Sequence, residues 1–293
     1  MLGVIGKPIS HSRSPVLHNA ALASVGEDIV YVPLLVDDLR EFLASSLFSR
    51  KDFMGFSVTI PHKETALLCC DEARDAASAR ALRSRARLTR SRIAQVDPVA
   101  ARIGAVNTLV RRPDGTLKGY NTDCFAALDA IEAGLGSSVA GKSLLVVGAG
   151  GAGRAIAFEA AHRGARVLIA NRSDERAAAL AADVDAEAVQ WATLQAGSAR
   201  ADILANTTSV GMQPDVGSTP VPAAALPNFG LVFDAVYTPL ETRLLREAKA
   251  AGAVAVNGVD MFVGQAAKQF ELFTGRPAPM ALMRATLMEA MGM

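Results

Sequence analysis

Three short polar clusters carry the side chains best suited to chemistry on a small oxygenated molecule. Residues 57–64 read Ser-Val-Thr-Ile-Pro-His-Lys-Glu, setting the Lys63 ammonium near the hydroxyl of Thr59 and the imidazole of His62 in the chain. Residues 11–15, His-Ser-Arg-Ser-Pro, offer two hydroxyls, Ser12 and Ser14, at a helix start, a combination that suits a carboxylate. Residues 121–123, Asn-Thr-Asp, add the carboxylate of Asp123. An ammonium and a carboxylate among hydroxyls and amides can hold a small polar acid and move a proton to or from one of its oxygens. Each group has a plainer reading alone: Ser12 or Ser14 as a helix N-cap, Lys63 as a surface lysine, and His11, His18 and His62 as structural or peripheral. The clusters recur, however, at or just after the C-terminal ends of apolar segments, where open α/β sheets place their ligands.

A fourth cluster points to a cofactor. Four apolar residues, 144–147, run into Gly148-Ala149-Gly150-Gly151-Ala152-Gly153 and then a helical stretch, which places G-x-G-x-x-G at Gly148, Gly150 and Gly153. Gly148 permits the tight turn, Gly150 a close approach of backbone to a pyrophosphate, and Gly153 close packing of helix on strand. Free N–H groups at the helix start face the phosphates. A merely structural turn is the alternative; the strand–loop–helix context favours a dinucleotide. An NAD site carries an acidic residue about 20 positions on, to bond the ribose 2′-hydroxyl. Here residues 167–170 end in Asn171-Arg172-Ser173, with Arg176 one turn later. No carboxylate stands at that strand end to repel a 2′-phosphate, and two guanidiniums are available to clamp one. The plainer reading is two solvated arginines at a helix start. NADP is the expected cofactor.

The elements that must position these groups alternate along the chain. Residues 2–5, 30–35 and 55–60 read as strands, with helices over 15–25 and 38–46. Residues 106–111 and 116–120 read as a hairpin around Pro113-Asp114-Gly115. Further strands are expected at 143–147, 166–170, 202–206, 231–235 and 254–256, a helix at 154–163, and helical spacing returns over 259–293. This is an α/β pattern of βαβ units. The expected architecture is two-lobed: residues 1–123 with 259–293 as a substrate-binding and catalytic domain, residues 124–258 as a Rossmann domain, and a cleft between them.

Composition narrows the classes. At about 150 residues per domain, 293 residues suit two domains. With 51% hydrophobic and 20% charged residues the chain can bury a sizeable core. A formal charge of +1 leaves no overall footprint for nucleic acid, and none is expected as a partner. Cys69, Cys70 and Cys124 form no C-x-x-C pair, and four His lack ligand spacing. A reducing compartment and no metal site are expected, with Cys69 and Cys70 buried in a helix and Trp191 packing ordinarily. No apolar run reaches the roughly 18–20 residues of a membrane span, and no targeting segment is visible, so a soluble protein without a membrane partner is expected. One segment stands apart. Residues 73–95 hold seven Arg and one Asp, a net +6 in 23 residues without a regular apolar stripe. The expected form is a disordered or loosely helical insertion. A basic patch for an acidic partner is the alternative, although no aromatics interleave for base stacking. The other 270 residues then carry −5.

The strings IGKPISHSRSP, GFSVTIPHKE, IGAVNTLV, GYNTD, VVGAGGAGRA, NRS, NTTSVGM, FDAVYTP, NGVDMFVGQA and FELFTG run in order along this chain. In them it resembles the shikimate dehydrogenase family, and most closely the dehydrogenase half of the plant-type bifunctional dehydroquinate dehydratase/shikimate dehydrogenase. The resemblance covers the chain apart from residues 73–95. It implies reversible, NADPH-dependent reduction of 3-dehydroshikimate to shikimate. It also implies site residues: Ser12 and Ser14 on the substrate carboxylate, and Thr59, Asn107, Asp123, Tyr237 and Gln265 on ring hydroxyls or the carboxylate. Lys63 would be the catalytic acid/base, paired with Asp123. Residues 148–153 (Gly148, Ala149, Gly150, Gly151, Ala152, Gly153) with Asn171, Arg172, Ser173 and Arg176 would hold NADP, and Thr208, Ala235, Gly258 and Met261 would lie toward the nicotinamide.

Two departures stand out. Ser57 occupies a position where many bacterial members carry Asn and the plant-type branch often carries Ser, which reads as lineage. Excising residues 73–95 joins Asp71-Glu72 to Val96-Asp97-Pro98 and restores the family's uninterrupted run. Alternatives stay open. Quinate dehydrogenase is the same chemistry on a substrate with one more hydroxyl, and a non-catalytic NADP-binding regulator would follow if the insertion disabled the site. The expected compartment is cytoplasmic, or plastid for a plant or algal source. A dehydratase domain upstream in a longer chain, and the oligomeric state, are undecided by sequence.

Overall fold

Five buried residues, Leu2–Gly6, form strand β1, which is too apolar to face water on either side, as a central parallel strand requires. The structure is a computed structural model that describes residues 1–45, 52–71 and 93–292. Helix α1 (Ser14–Ser24) leads to β2 (Tyr31–Leu35), and α2 (Leu39–Ala44), capped by the Asp38 carboxylate, leads to β3 (Gly55–Val58). After α3 (Lys63–Asp71) come β4 (Ile93–Val96), α4 (Pro98–Ile103), capped by Asp97, and a hairpin of β5 (Thr108–Arg111) and β6 (Leu117–Tyr120). The strands form one sheet in the order β2-β1-β3-β5-β6-β4. It is parallel from β2 to β3, antiparallel through the hairpin, and parallel again where β4 meets β6.

Strand β4 corrects the sequence reading. Residues 73–92 of the expected insertion lie outside the described residues, but Ile93–Val96 belongs to the sheet edge. The last three residues of the segment begin this strand, with Ile93 paired to Leu117 of β6, a role that a charge count could not reveal.

The second sheet begins after α5 (Asp123–Leu135) with β7 (Ser143–Val147). It continues through α6 (Gly151–His162), β8 (Arg166–Ala170), α7 (Asp174–Asp183), β9 (Glu187–Ala188) and α8 (Trp191–Gln195). Strands β10 (Ile203–Asn206) and β11 (Leu231–Asp234), helix α9 (Arg243–Ala250) and β12 (Val254–Val256) complete it. All its pairings are parallel, in the order β12-β11-β10-β7-β8-β9. Read from the other edge, this is the doubly wound order whose direction reverses between β7 and β10, so ligand-binding loops are expected after those two strands. Along β7 the period-2 alternation sends Leu144 and Val146 into one core layer and Leu145 and Val147 into the other. Each such side chain contributes about 1.5–3 kcal/mol by burial.

Helices α10 (Val259–Thr274) and α11 (Met280–Ala290) close the chain, and α11 packs on α1. The chain forms two compact units, Met1–Thr122 with Ala266–Met293, and Asp123–Gln265. The second cut falls inside α10, beyond the Gly258 boundary read from sequence. The helix is continuous there, and Gly264 approaches Ala126 whereas Gln269 bonds to Ser57 and Thr108. No described helix is long and apolar enough to cross a membrane.

Candidate functional site

In the first unit, three strand ends hold the polar residues. After β3 the chain turns through Thr59, whose N–H donates to the Ile5 carbonyl at 2.9 Å, and His62, whose N–H donates to the Thr59 carbonyl at 2.9 Å. The buried His62 ring donates from Nε2 to the Val36 carbonyl at 2.7 Å, so its proton is spent on the scaffold. Lys63, half-buried, opens α3, and its carbonyl accepts from Val106 N–H at 2.9 Å. Ser12 and Ser14 sit at the start of α1. Ser12 Oγ accepts the Ser14 N–H at 3.3 Å, and Ser14 itself is buried.

Asn107 is held most tightly. Its Oδ1 accepts from the Thr122 N–H at 2.9 Å and the Thr108 hydroxyl at 2.7 Å, while its Nδ2 donates to Thr122 Oγ1 at 2.9 Å. The Thr122 main-chain N–H can only donate, so the amide orientation follows, and Nδ2 keeps one hydrogen for a ligand. Behind it runs a buried relay. Tyr31 donates to Ser57 Oγ at 2.6 Å, Ser57 donates to Gln269 Oε1 at 2.6 Å, and Gln269 Nε2 donates to Thr108 Oγ1 at 3.1 Å and the Asn107 carbonyl at 3.3 Å. Under Tyr31 lies His18, stacked ring on ring at 4.3 Å and fully buried. Neither His18 nitrogen finds a hydrogen-bond partner among the described residues. Burial is the chief cause that lowers its pKa to about 3.

In the second unit, the glycine loop follows β7. Gly148 has φ +114°, open to glycine at little cost, and its N–H donates to the Ala170 carbonyl at 2.8 Å. A side chain on Gly153 would collide with the Gly148 carbonyl, whereas one on Gly150 would meet nothing within 4 Å. Asn171 accepts the Ala149 N–H at 3.3 Å, and Arg176 Nη2 reaches back to the Ala149 carbonyl at 3.4 Å. Ser173 caps α7 by accepting the Arg176 N–H, and Arg172 beside it is exposed. The carboxylates nearby are spent locally: Asp174 accepts the Trp191 N–H and Glu175 the Ser173 hydroxyl.

The loops after β10 and β11 are tied through two buried side chains. Asn206 Oδ1 accepts both the N–H (3.0 Å) and the hydroxyl (2.7 Å) of Thr208, and its Nδ2 donates to Asp234 Oδ1 at 2.9 Å. Asp234 also accepts from Val236 N–H and the Thr242 hydroxyl. Burial raises its pKa to about 6, opposed by these hydrogen bonds. Tyr237 stacks on Phe262 at 4.2 Å, and a side chain on Gly258 would strike the Ala235 carbonyl. Gln265 donates to the Phe262 carbonyl at 2.9 Å, Met261 is buried in the same core cluster as Ala149, and Asp123, buried, opens α5.

Three family models match successive stretches of the chain. The profile described as shikimate dehydrogenase substrate binding domain matches residues 4–81, shikimate / quinate 5-dehydrogenase residues 131–213, and shikimate 5′-dehydrogenase C-terminal domain residues 258–288. The shikimate dehydrogenase (NADP(+)) of Methanosarcina acetivorans is 40% identical over 301 residues, covering 99% of this chain and 98% of that one. The chain belongs to the shikimate dehydrogenase family. A second member of that family, the chloroplastic bifunctional 3-dehydroquinate dehydratase/shikimate dehydrogenase of Arabidopsis thaliana, is 50% identical over 294 residues. The match covers 96% of this chain but 45% of that protein, so this chain spans less than half its length. The crystal structure of shikimate 5-dehydrogenase from Thermus thermophilus in complex with NADP(H) and shikimate is 36% identical, with a TM-score of 0.81 over 99% of this chain and 98% of that one.

Sequence reasoning about this family member passed over Tyr31, Thr108, Gln269 and Thr242. Asn206 and Asp234 lay inside quoted strings without a role. Signals existed for three of them. Gln269 follows Gln265 by four residues, one helical turn on the same face. Asn206 and Asp234 are the last residues of otherwise apolar, fully buried strands.

Proposed function

We propose that this chain catalyses the reversible, NADPH-dependent reduction of 3-dehydroshikimate to shikimate. Its similarity to the Methanosarcina shikimate dehydrogenase (NADP(+)), over nearly the whole of both chains, carries the assignment. The match covers less than half of the Arabidopsis relative, and only dehydrogenase chemistry is proposed here.

The dinucleotide fits the second unit. Residues 148–153 would take the pyrophosphate on the open approach at Gly150 and the start of α6, and Asn171, Arg172, Ser173 and Arg176 the adenosine 2′-phosphate. Thr208, Ala235, Gly258 and Met261 would lie toward the nicotinamide. When bound, NADPH supplies hydride to the substrate ketone. Ser12 and Ser14 are assigned to the carboxylate, with Thr59, Asn107, Asp123, Tyr237 and Gln265 on hydroxyls or carboxylate. Asn107 would act as a donor, because its oxygen is already doubly occupied. Negative charge grows on the ketone oxygen during reduction, and Lys63 is the group assigned to stabilise and protonate it, with Asp123 orienting the reacting hydroxyl. Cys69, Cys70 and Cys124 are buried and form no disulfide among the described residues, which supports a reducing compartment, cytoplasm or plastid.

The test is reduction of NADP+ or NAD+ followed by nicotinamide absorbance, with shikimate, quinate or no substrate. Shikimate with NADP+ is expected to give the highest kcat/KM. A higher value with quinate would reassign the substrate, and folded protein without shikimate-dependent reduction would overturn the assignment.

A further inference from the structure

Asp234 is fully buried at the end of β11, and no cationic side chain forms an ion pair with it among the described residues. A buried carboxylate without a counter-charge is costly unless its oxygens are filled by donors. Three donors fill them: Asn206 Nδ2 at 2.9 Å, Val236 N–H at 3.0 Å and the Thr242 hydroxyl at 2.7 Å. Each comes from a different segment. Asn206 ends β10, Val236 lies in the loop after β11, and Thr242 caps α9 by accepting the Leu245 N–H.

The direction of these bonds reaches further. A carboxylate can only accept, so Asn206 must turn its Nδ2 toward Asp234 and its Oδ1 toward Thr208. That oxygen then takes both the N–H and the hydroxyl proton of Thr208, while Thr208 Oγ1 accepts from Val210 N–H at 3.2 Å. Main-chain bonds bind the same two loops to each other, Ala235 N–H to the Asn206 carbonyl at 2.9 Å and Gln213 N–H to the Thr238 carbonyl at 3.2 Å. On the other flank, the Thr207 hydroxyl donates to the Val147 carbonyl at 2.9 Å, beside the glycine loop. One buried anion thus sits at the root of the loops that follow β10 and β11, with every donor around it aligned.

We propose that Asp234 is a positioning residue for the nicotinamide end of the dinucleotide site, acting through Asn206 on Thr208 and through the Val236 N–H on Tyr237. The proposal rests on the reading above that NADP binds with its nicotinamide toward Thr208 and Ala235. Asp234 touches neither cofactor nor substrate; it fixes which way the Thr208 hydroxyl points and where the Tyr237 loop begins. Satisfied buried networks of this kind specify one loop conformation.

The experiment measures equilibrium binding of two probes, NADP+ and 2′,5′-ADP, which carries only the adenosine half. In Asp234→Ala, Kd for NADP+ is expected to rise about tenfold, the loss of roughly one to two hydrogen bonds, while Kd for 2′,5′-ADP stays within about twofold. Asp234→Asn keeps an acceptor for Asn206 and Val236 and should restore most NADP+ affinity. Should Asp234→Ala fail to fold, Asn206→Ala removes the bridge between Asp234 and Thr208 while leaving the Val236 and Thr242 donors on Asp234, and should give the same split. Equal weakening of both probes, or unchanged NADP+ binding, would overturn the proposal. Amide hydrogen exchange at Thr208 and Val236 decides independently of ligand. Faster exchange in the variant supports the positioning role even where the wild type binds neither nucleotide, a result that sinks the NADP reading alone; unchanged exchange defeats the role.

Discussion

At the scale of single residues, Lys63 has the sharpest consequence. It is half-buried at the first position of α3, its carbonyl held by Val106. Replacing it by Ala removes the assigned proton donor without opening a core cavity, so kcat should fall roughly 10²–10⁴-fold while the melting temperature holds. A loss of turnover below about threefold would refute the assignment. Lys63 was legible because a lysine in a motif at a strand end stands out. Ser57 was legible only as a lineage mark, because its function in the fold depends on Tyr31, Thr108 and Gln269, which converge from as far as 212 positions away. Pattern reading has no access to such distances. His18 makes a prediction of a different kind. An unfolded chain protonates its histidines near pH 6.5, whereas native His18 stays neutral down to about 3. The unfolded state therefore binds more protons across that window, and stability falls as pH falls through it. Between about pH 7 and about pH 5 this group alone should remove about 2 kcal/mol. His18→Phe keeps a ring against Tyr31 and cannot titrate, so urea midpoints measured at both pH values should show a shallower acid loss in the variant. Equal losses would mean that His18 is protonated in the folded protein.

At the scale of elements, the strand–loop–helix from β7 to α6 separates two roles that one glycine motif merges. Sequence spacing assigned Gly150 to ligand approach and Gly153 to packing, and the geometry makes that separation measurable. A Cβ at Gly153 runs into the Gly148 carbonyl, which cannot move without disturbing the turn, whereas a Cβ at Gly150 points into open space. Gly153→Ala should therefore lower the melting temperature by several degrees, the effect of roughly 1–3 kcal/mol of overpacking. Gly150→Ala should melt like the parent and weaken NADP+ binding by about tenfold or more. Scanning calorimetry with and without NADP+ separates the two; destabilisation by Gly150→Ala as large as that by Gly153→Ala would remove the ligand-approach role. Element boundaries were less legible than this motif. The α6 start was expected at residue 154 but falls at Gly151, because glycines are poor helix formers yet suit a first turn that must lie against a carbonyl. Strand β9 is two exposed residues with no apolar signal, held by pairing to β8.

At the scale of the whole molecule, the +1 formal charge is a sum of unlike parts. Residues 73–92 contain all seven Arg and the one Asp of the basic segment, a net +6, so the remaining 273 residues carry −5. Strand β4 changes where that segment can be cut. Removing residues 73–95 takes three of the four residues of β4, whereas removing 73–92 leaves Ile93–Val96 to pair with β6. The shorter deletion takes out charge and no described element. Its apolar content is too sparse to have supplied a stripe for the core, and long insertions in connections cost little to keep or to lose. The variant lacking 73–92 is therefore expected to melt within about 2 °C of the full chain and to keep kcat with shikimate and NADP+ within about twofold. Its elution from a polyanion column should shift to much lower salt, since a charge of −5 replaces +1 and the clustered arginines are gone. A large loss of turnover with melting unchanged would show that the arginines act on catalysis. A large loss of melting temperature would show that the segment contributes to the fold, and either result would end its standing as a tolerated insertion.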